Sequence, residues 1–313
     1  MSTNSSPQRI AVIGTGYVGL TTGASLAHFG FEVACCDIDQ RKVTMLQQGV
    51  IPIVEDGLAE MVADGQRSGR LTFHLGSVES VASADVVFLC VPTPQDDDGS
   101  ADLTYVKLAA TEIGPHLQAG AVVVNKSTVP VGSFHVVGEA LGRADVDVVS
   151  NPEFLREGSA VHDCLHPDRV VIGAENPEAA AKVAALYDSL DTEVILTDPA
   201  SSETIKYAAN GFLAMKISFI NSVAAMCEQV GADVAAVVAG IGSDGRIGPQ
   251  FLNPGPGWGG SCFPTDSRAL VKIAEDHGYD FALMRGVIEV NDEQRELMVG
   301  KIARAAGRAA HDL

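Results

Sequence analysis

Short apolar runs punctuated by glycine dominate the first part of the chain. Residues 9–13, RIAVI, form one such run, and the GLTTGASLAHFG stretch soon after has helical spacing and a closing glycine. FEVACCD follows at once, so the opening predicts strand, tight turn, helix and strand: a βαβ unit whose parallel strands require a right-handed crossover. DVVFLCV at 85–91, AVVVN at 121–125, VDVVS at 146–150 and RVVIG at 169–173 predict further strands buried on both faces. Together they predict an α/β fold with a doubly wound parallel sheet.

From about Ser201 the period changes. ETIKYAANGFLAMKISFINSVAAMCEQVG keeps helical spacing for nearly thirty residues without proline and is apolar around most of its circumference, which predicts a long buried helix. Residues 233–313 read as shorter helices around the Gly/Pro segment GPQFLNPGPGWGGSCFPTD. A boundary at Asp198-Pro199 divides the chain into a sheet domain, residues 1–198, and residues 199–313, a long central helix with a mainly helical second domain. No repeat or low-complexity tract interrupts this order.

At 313 residues, 46% of them hydrophobic, the chain can bury two cores. Forty acidic residues against 21 basic give a formal charge of −19, a field that repels nucleic acid and anionic membrane surfaces, so neither is expected as a partner. An anionic substrate requires local Lys, Arg or helix N-termini to oppose that field. The leader MSTNSSPQ lacks an apolar core, and no run of about 18 apolar residues follows, so a cytoplasmic location is expected. Six cysteines, at 35, 36, 90, 164, 227 and 262, include no CxxC pair; neither a metal site nor a disulfide framework is expected, and a reducing compartment fits.

Gly14, Gly16 and Gly19 form GTGYVG between the first predicted strand and helix, and Asp37 ends the second strand. In this dinucleotide fingerprint the first glycine permits the tight turn, the second lets backbone approach a pyrophosphate and the third allows close helix packing. Tyr17 and Val18 complete the turn, and the helix N-terminus faces the phosphate charge. Asp37 would accept hydrogen bonds from the adenosine ribose and repel a 2′-phosphate, which favours NAD; Asp39 is the competing candidate. The sheet is therefore expected to be Rossmann-like.

Cys35, Cys36, Cys90 and Cys227 lie in apolar runs and read as small core residues, while Cys164 is ambiguous. Cys262 follows two glycines in WGGSCFPTD and precedes Pro264, where a helix can begin. An accessible thiol at a helix N-terminus suits a nucleophile, although the local chemistry leaves a structural cysteine equally open. Asp266 sits four residues on, Lys206 and Asn210 share that spacing on the long helix, and Glu153 and Glu157 share it in NPEFLREG. Each pair has a plain alternative as surface charge or solvated turn. Lys206 and Asn210 gain weight because they interrupt an apolar helix, where an unpaired charge is costly.

GTGYVG, VPTPQDDDGSADLTYV, KSTVPVGS, NPEFLREGSAVHDCLHPDRVVIG, KYAANGFLAMKISFINSVAAMCE and GIGSDGRIGPQFLNPGPGWGGSCFPTD span almost all of residues 9–270. Together they resemble the UDP-glucose/GDP-mannose dehydrogenase family of nucleotide-sugar dehydrogenases, and within it the UDP-glucose branch. The resemblance implies oxidation of the sugar C6 alcohol of UDP-glucose to the carboxylate of UDP-glucuronate with two NAD, through an aldehyde held on Cys262 as thiohemiacetal and then thioester. It implies Lys206 as the stabiliser of oxyanions with Asn210 beside it. Asp266 and Thr128 would organise water and protons near sulfur, Glu157 would serve thioester hydrolysis, and Glu153 would have an acid/base role. Val91, Pro92, Thr93, Ser127, Thr128 and Glu157 would join the glycine turn in holding NAD. Glu153, Phe154, Leu155, Lys206, Asn210, Phe251 and Gly259 would hold the nucleotide sugar, and Arg246 would reach a neighbouring subunit's site, in a homodimer built on the central helix.

Two departures qualify that picture. Thr265 stands where the family usually has lysine, which removes a cation from an already acidic protein. The chain also ends at RAAHDL, about where the family's third domain would begin, so weak substrate binding and poor turnover are expected. GDP-mannose or UDP-N-acetylhexosamine oxidation, a catalytically silent NAD-binding and dimerisation module, and a 2- or 3-hydroxy acid dehydrogenase are the alternatives. The last does not need the cysteine.

Overall fold

A computed structural model describes residues 8–96 and 99–307. The polar leader up to Pro7, Asp97 and Asp98 of the acidic motif, and the last six residues lie outside the described residues. Contacts group the chain into two units, Met1–Pro94 with Asp102–Lys206, and Gln95–Ala101 with Tyr207–Leu313.

In the first unit β1 (Arg9–Ile13), α1 (Tyr17–His28) and β2 (Glu32–Asp37) form the expected βαβ opening. Then come α2 (Gln40–Gln47), α3 (Leu58–Arg67), β3 (Leu71–Leu75), the single turn α4 (Val78–Val81), β4 (Val86–Leu89), α5 (Thr104–Ile113) and β5 (Val122–Asn125). α6 (Ser133–Leu141), β6 (Asp147–Ser150), α7 (Ala160–Leu165), β7 (Arg169–Ala174), α8 (Pro177–Ala184) and β8 (Glu193–Thr197) complete the sheet region. The eight strands lie in the order β3-β2-β1-β4-β5-β6-β7-β8, a doubly wound arrangement with its reversal between β1 and β4.

Two details differ from the expectation of a parallel sheet drawn from its apolar runs. β7 pairs antiparallel to β6, the remaining pairings being parallel. An apolar run carries no direction, and the connection through α7, as long as the one that crosses over between β1 and β2, turns the chain back instead. The edge strands β3 and β8 are half-exposed; β3 alternates apolar and polar residues and β8 carries only the run VIL, so neither reads as a strand buried on both faces.

The inner strands show why the sheet is buried on both faces. Ile10 and Val12 of β1 enter one core with Leu20, Cys35 and Phe88, while Ala11 and Ile13 enter the other with Cys36, Val87 and Leu89. Adjacent Cys35 and Cys36 thus point to opposite faces and both serve as small core residues.

α9 (Pro199–Val230), 32 residues long, opens with a proline at its first position, where no amide donor is lost, and passes from the first unit into the second between Lys206 and Tyr207. In the second unit α9 is joined by α10 (Val234–Gly242), α11 (Cys262–Asp276) and α12 (Ala282–Ala305) around a core of Ala214, Trp258, Met284 and Val287. α12 runs for 24 residues and is not one of several short helices. α9 is also not buried all round: Phe212, Phe219 and Met226 are 59%, 56% and 56% exposed. Among the described residues no helix is long and apolar enough to cross a membrane.

Candidate active site

The glycine turn between β1 and α1 uses each glycine for a different reason. Gly14 has φ +95°, and a Cβ there would lie 2.5 Å from the Cys90 carbonyl oxygen. A Cβ on Gly19 would lie 2.0 Å from the Gly14 carbonyl oxygen, so turn and helix can pack only without it. A Cβ on Gly16 would meet nothing within 4 Å. The protein itself does not require Gly16, but a pyrophosphate resting on the backbone there would, and the turn therefore fits a dinucleotide.

At the end of β2, Asp37 Oδ2 accepts from the Thr15 N–H at 2.9 Å, the Thr15 hydroxyl at 2.6 Å and Lys42 Nζ at 2.9 Å, and Oδ1 accepts from the Asp39 N–H at 3.0 Å. Burial works to raise its pKa, but these donors outweigh it and bring the carboxyl down to about 2. Asp39 instead caps α2, accepting from the Arg41 and Lys42 N–H groups. Asp37 is thus the carboxylate at the strand end. Nearby backbone is tied together: the Thr93 hydroxyl donates to the Thr128 carbonyl at 2.8 Å, and the Ser127 hydroxyl to the Val91 carbonyl at 2.7 Å.

α9 carries Lys206 within the first unit, and Lys206 Nζ donates to Glu153 Oε1 at 2.7 Å, both side chains nearly sealed from solvent. Glu153 follows β6, and its second oxygen accepts from the Leu155 N–H at 2.5 Å. The Phe154 ring lies 5.6 Å from Lys206 Nζ and 3.8 Å from the Arg169 guanidinium. Glu157 is exposed, in the same loop. A buried ammonium fixed by a carboxylate is a preorganised cation, suited to stabilising an oxyanion.

In the second unit, Asn210 Nδ2 donates to Asp266 Oδ2 at 2.5 Å, again between buried side chains. Asp266 lies one turn along α11 from Cys262, as the spacing predicts, and Cys262 is the first residue of that 15-residue helix. The thiol is half-buried, with the Ser261 hydroxyl 3.6 Å from Sγ. Thr265, at the position where lysine is usual, turns its hydroxyl back to the Ser261 carbonyl at 3.0 Å.

The Gly/Pro loop before α11 is held by buried amides. Asn291 Oδ1 accepts from the Trp258 N–H at 2.7 Å and its Nδ2 donates to the Trp258 carbonyl, while Asn221 Oδ1 accepts from the Gly255 N–H at 2.8 Å. Phe251 adopts φ +61°, and nothing lies within 4 Å of a Cβ built on Gly259. Arg246 is exposed and pairs with Asp244 in its own loop at 2.6 Å.

Three participants escape the sequence reading. Lys42 sits on α2, five residues after Asp37, and its signal is a cation just beyond the strand end. Glu55, nearly buried, accepts from the Gly158 and Ala160 N–H groups and so anchors the end of the Glu153 loop; no spacing connects it to that loop. Glu203 is buried one turn before Lys206 and shares its polar stripe, a legible signal in an apolar helix.

A doubly wound sheet with this turn and strand-end carboxylate, followed by a long helix bearing a buried lysine, defines a nicotinamide-dinucleotide dehydrogenase class. The sequence pattern of the NAD binding domain of the UDP-glucose/GDP-mannose dehydrogenase family matches residues 8–191, and that of the family's central domain matches residues 200–293. The chain belongs to this family. It is 50% identical over 305 residues to the UDP-glucose 6-dehydrogenase TuaD of Bacillus subtilis (strain 168), covering 96% of this chain and 66% of that one. It is 49% identical to a UDP-glucose 6-dehydrogenase of Rhizobium meliloti (strain 1021), covering 96% and 71%. The structure of a UDP-glucose dehydrogenase from the hyperthermophilic archaeon Pyrobaculum islandicum superposes with a TM-score of 0.93 at 38% identity, covering 98% of this chain and 73% of that one. The chain thus spans about two thirds of the length of the bacterial relatives it matches.

Proposed function

We propose that the protein oxidises the C6 alcohol of UDP-glucose to the carboxylate of UDP-glucuronate, passing two hydrides to NAD. Family membership and the names of the two bacterial relatives support the substrate and reaction class. The observation that carries the chemistry is the buried Lys206 ammonium, fixed at 2.7 Å by Glu153 on a helix that presents Asn210 one turn later. Preorganised donors of this kind contribute several kcal/mol to an oxyanionic transition state.

Bound NAD supplies the hydride acceptor, two equivalents for each alcohol carried to the acid. In the first oxidation the C6 hydroxyl gives up its proton as hydride leaves carbon, and an aldehyde results. Cys262 Sγ then adds to the aldehyde carbon and the oxygen takes a proton, forming a thiohemiacetal whose tetrahedral carbon can surrender the second hydride. Loss of that hydride and of the hydroxyl proton leaves a thioester. Water adds to it, the C–S bond breaks, and Cys262 recovers its proton as the acid leaves. Lys206 and Asn210 stabilise the oxygen that bears charge in each step, Asp266 and Thr128 order water and protons near sulfur, and Glu157 and Glu153 serve hydrolysis and proton transfer. Phe154, Leu155, Phe251 and Gly259 hold the sugar nucleotide. A second copy meets the exposed face of α9, and Arg246 extends to that copy's site.

The test is product analysis of the purified protein with NAD and each nucleotide sugar, expecting two NADH per UDP-glucuronate. GDP-mannuronate alone would remove the substrate assignment. Turnover retained in Cys262→Ser would point to a hydroxy acid dehydrogenase. Incubation with the UDP-sugar aldehyde is expected to leave a covalent adduct on Cys262 by peptide mass, and its absence would favour a silent NAD-binding module.

A further inference from the structure

We infer that Glu203 is a positioning residue, holding the segment that carries Thr128 in fixed register with the turn of α9 that carries Lys206. The inference rests on the reading above, in which Thr128 and Lys206 belong to the active site.

Glu203 is 3% exposed and lies on α9 one turn before Lys206. Its Oε2 accepts from the Gly132 N–H at 2.6 Å and its Oε1 from the Phe134 N–H at 2.9 Å, while the Ser133 N–H between them donates to the Pro130 carbonyl at 3.1 Å. These are first-turn donors of α6, which have no partner within their own helix. α6 begins after Gly132, at φ +95°, and has no side-chain cap from its own sequence. A carboxylate some seventy residues away, on another helix, takes the place of that cap.

The other end of the same segment is fastened independently. The Thr93 hydroxyl holds the Thr128 carbonyl, the Ser127 hydroxyl holds the Val91 carbonyl, and the Ser133 hydroxyl donates to the Pro130 carbonyl at 2.6 Å. Residues 127–134 are therefore pinned to β4's outgoing loop at one end and to α9 at the other. Capping alone does not demand this device, since serine or aspartate at the helix start satisfies the same donors without burying a distant charge. Burial pushes the Glu203 carboxyl up to about 7 against its backbone donors. A local rule broken at a cost, between two segments bearing candidate catalytic groups, marks a coupling element. Lys206 Nζ is engaged by Glu153, so Glu203 acts through backbone placement and not through a shared ion pair.

Glu203→Gln preserves shape but turns an NH2 toward the row of N–H donors. Hydrogen exchange in peptides covering residues 126–136 is expected to accelerate by about tenfold or more in this variant, while β1, β2 and the second half of α9 keep their protection. Acceleration spread over the whole first unit, or none in 126–136, overturns the inference. In activity, kcat is expected to fall by about ten- to a hundredfold with KM for NAD changed by less than about threefold. On a Thr128→Ala background the same substitution is expected to cost less than about twofold, because the group it positions is gone. Fully additive losses would show Glu203 to be merely structural. Should Glu203→Gln not fold, Glu203→Asp, which keeps the charge and shortens the reach, carries the same measurements. Wild-type turnover in Thr128→Ala and Lys206→Ala would instead remove the underlying site reading, while the exchange result would still decide whether Glu203 holds the loop.

Discussion

Lys206 Nζ and Glu153 Oε1 lie 2.7 Å apart, with 3% and 6% of their side chains exposed. A buried pair of this kind is costly to break from one side, because the survivor is left charged in a poor dielectric. Lys206→Ala is expected to lower stability by about 3–5 kcal/mol, and Lys206→Met with Glu153→Gln by distinctly less, since neither then strands a charge. Urea unfolding of the two variants decides it. Equal losses would mean that water reaches the pair and that Lys206 is not the preorganised cation the proposed chemistry uses.

Gly16 and Gly19 separate binding from folding. A Cβ at Gly19 would stand 2.0 Å from a backbone oxygen that cannot yield cheaply, so Gly19→Ala is expected to lower the melting temperature and abolish NAD binding together. Gly16→Ala meets no protein atom within 4 Å, so its melting temperature is expected to stay close to that of the wild type while NAD affinity falls by about tenfold or more. Thermal melts paired with calorimetric NAD titration make the comparison. Unchanged affinity in Gly16→Ala would place the pyrophosphate elsewhere.

The cysteines differ enough in setting for their reactivity to be ordered. Burial pushes the thiols of Cys36 and Cys90 up to about 11 and about 12, and raises Cys35 well above its ordinary range. Cys262 is half-buried at the start of α11, the kind of position at which thiol reactivity is highest. Brief iodoacetamide treatment of the native protein is expected to alkylate Cys262 first and to spare Cys35, Cys36 and Cys90, as read by peptide mass mapping. Preferential labelling of any of those three would contradict both their place in the sheet and the exposure of Cys262.

Local chemistry was legible wherever its cause is local. The glycine turn, the start of α11 near Cys262, and the polar interruption of α9 at Lys206 and Asn210 all follow from neighbours within one or two turns. The sequence placed Asp37 ahead of Asp39 at the end of the second strand but could not dismiss the latter; the capping of α2 by Asp39 separates them. The reversal of β7 against β6 was hidden because an apolar run has no polarity. Glu55 was missed for a related reason, as were the partners of Glu203, whose own place in the polar stripe of α9 was legible: the donors lie about 70 to 105 residues away, and only tertiary structure supplies that pairing. α12 was read too short because its mixed surface dilutes the helical period.

Asp37 makes stability depend on acid pH in a defined direction. Burial alone would raise its pKa, but the donors from Thr15, Lys42 and the Asp39 backbone hold it at about 2, below its ordinary 3.8. A folded-state value below the unfolded one contributes stability that is present above about 3.8 and lost as pH falls through about 2. Asp37→Asn is therefore expected to be less stable than wild type at neutral pH by about 1–2 kcal/mol, allowing for solvent screening, with the gap closing as pH drops below about 4. Denaturant midpoints across that range test it, and a gap independent of pH would show that the carboxylate's charge contributes nothing. The same variant is expected to lose NAD affinity, because the strand-end acceptor for the ribose is weakened.

Phe212, Phe219 and Met226 recur every seven residues along α9, each more than half exposed, so one long side of the helix presents a row of large apolar side chains to solvent. A self-complementary stripe on a helix is the simplest isologous interface, since a two-fold axis across it buries each side chain against its own symmetry mate or the next along. Phe219→Glu places like charges at the centre of that contact and disturbs no core residue. Light scattering on the purified protein is expected to give about twice the 32.6 kDa chain mass for wild type and the single-chain mass for the variant. A wild-type monomer, or a variant that keeps the double mass, would remove the α9 dimer from the proposed function and with it the route by which Arg246 reaches a second site.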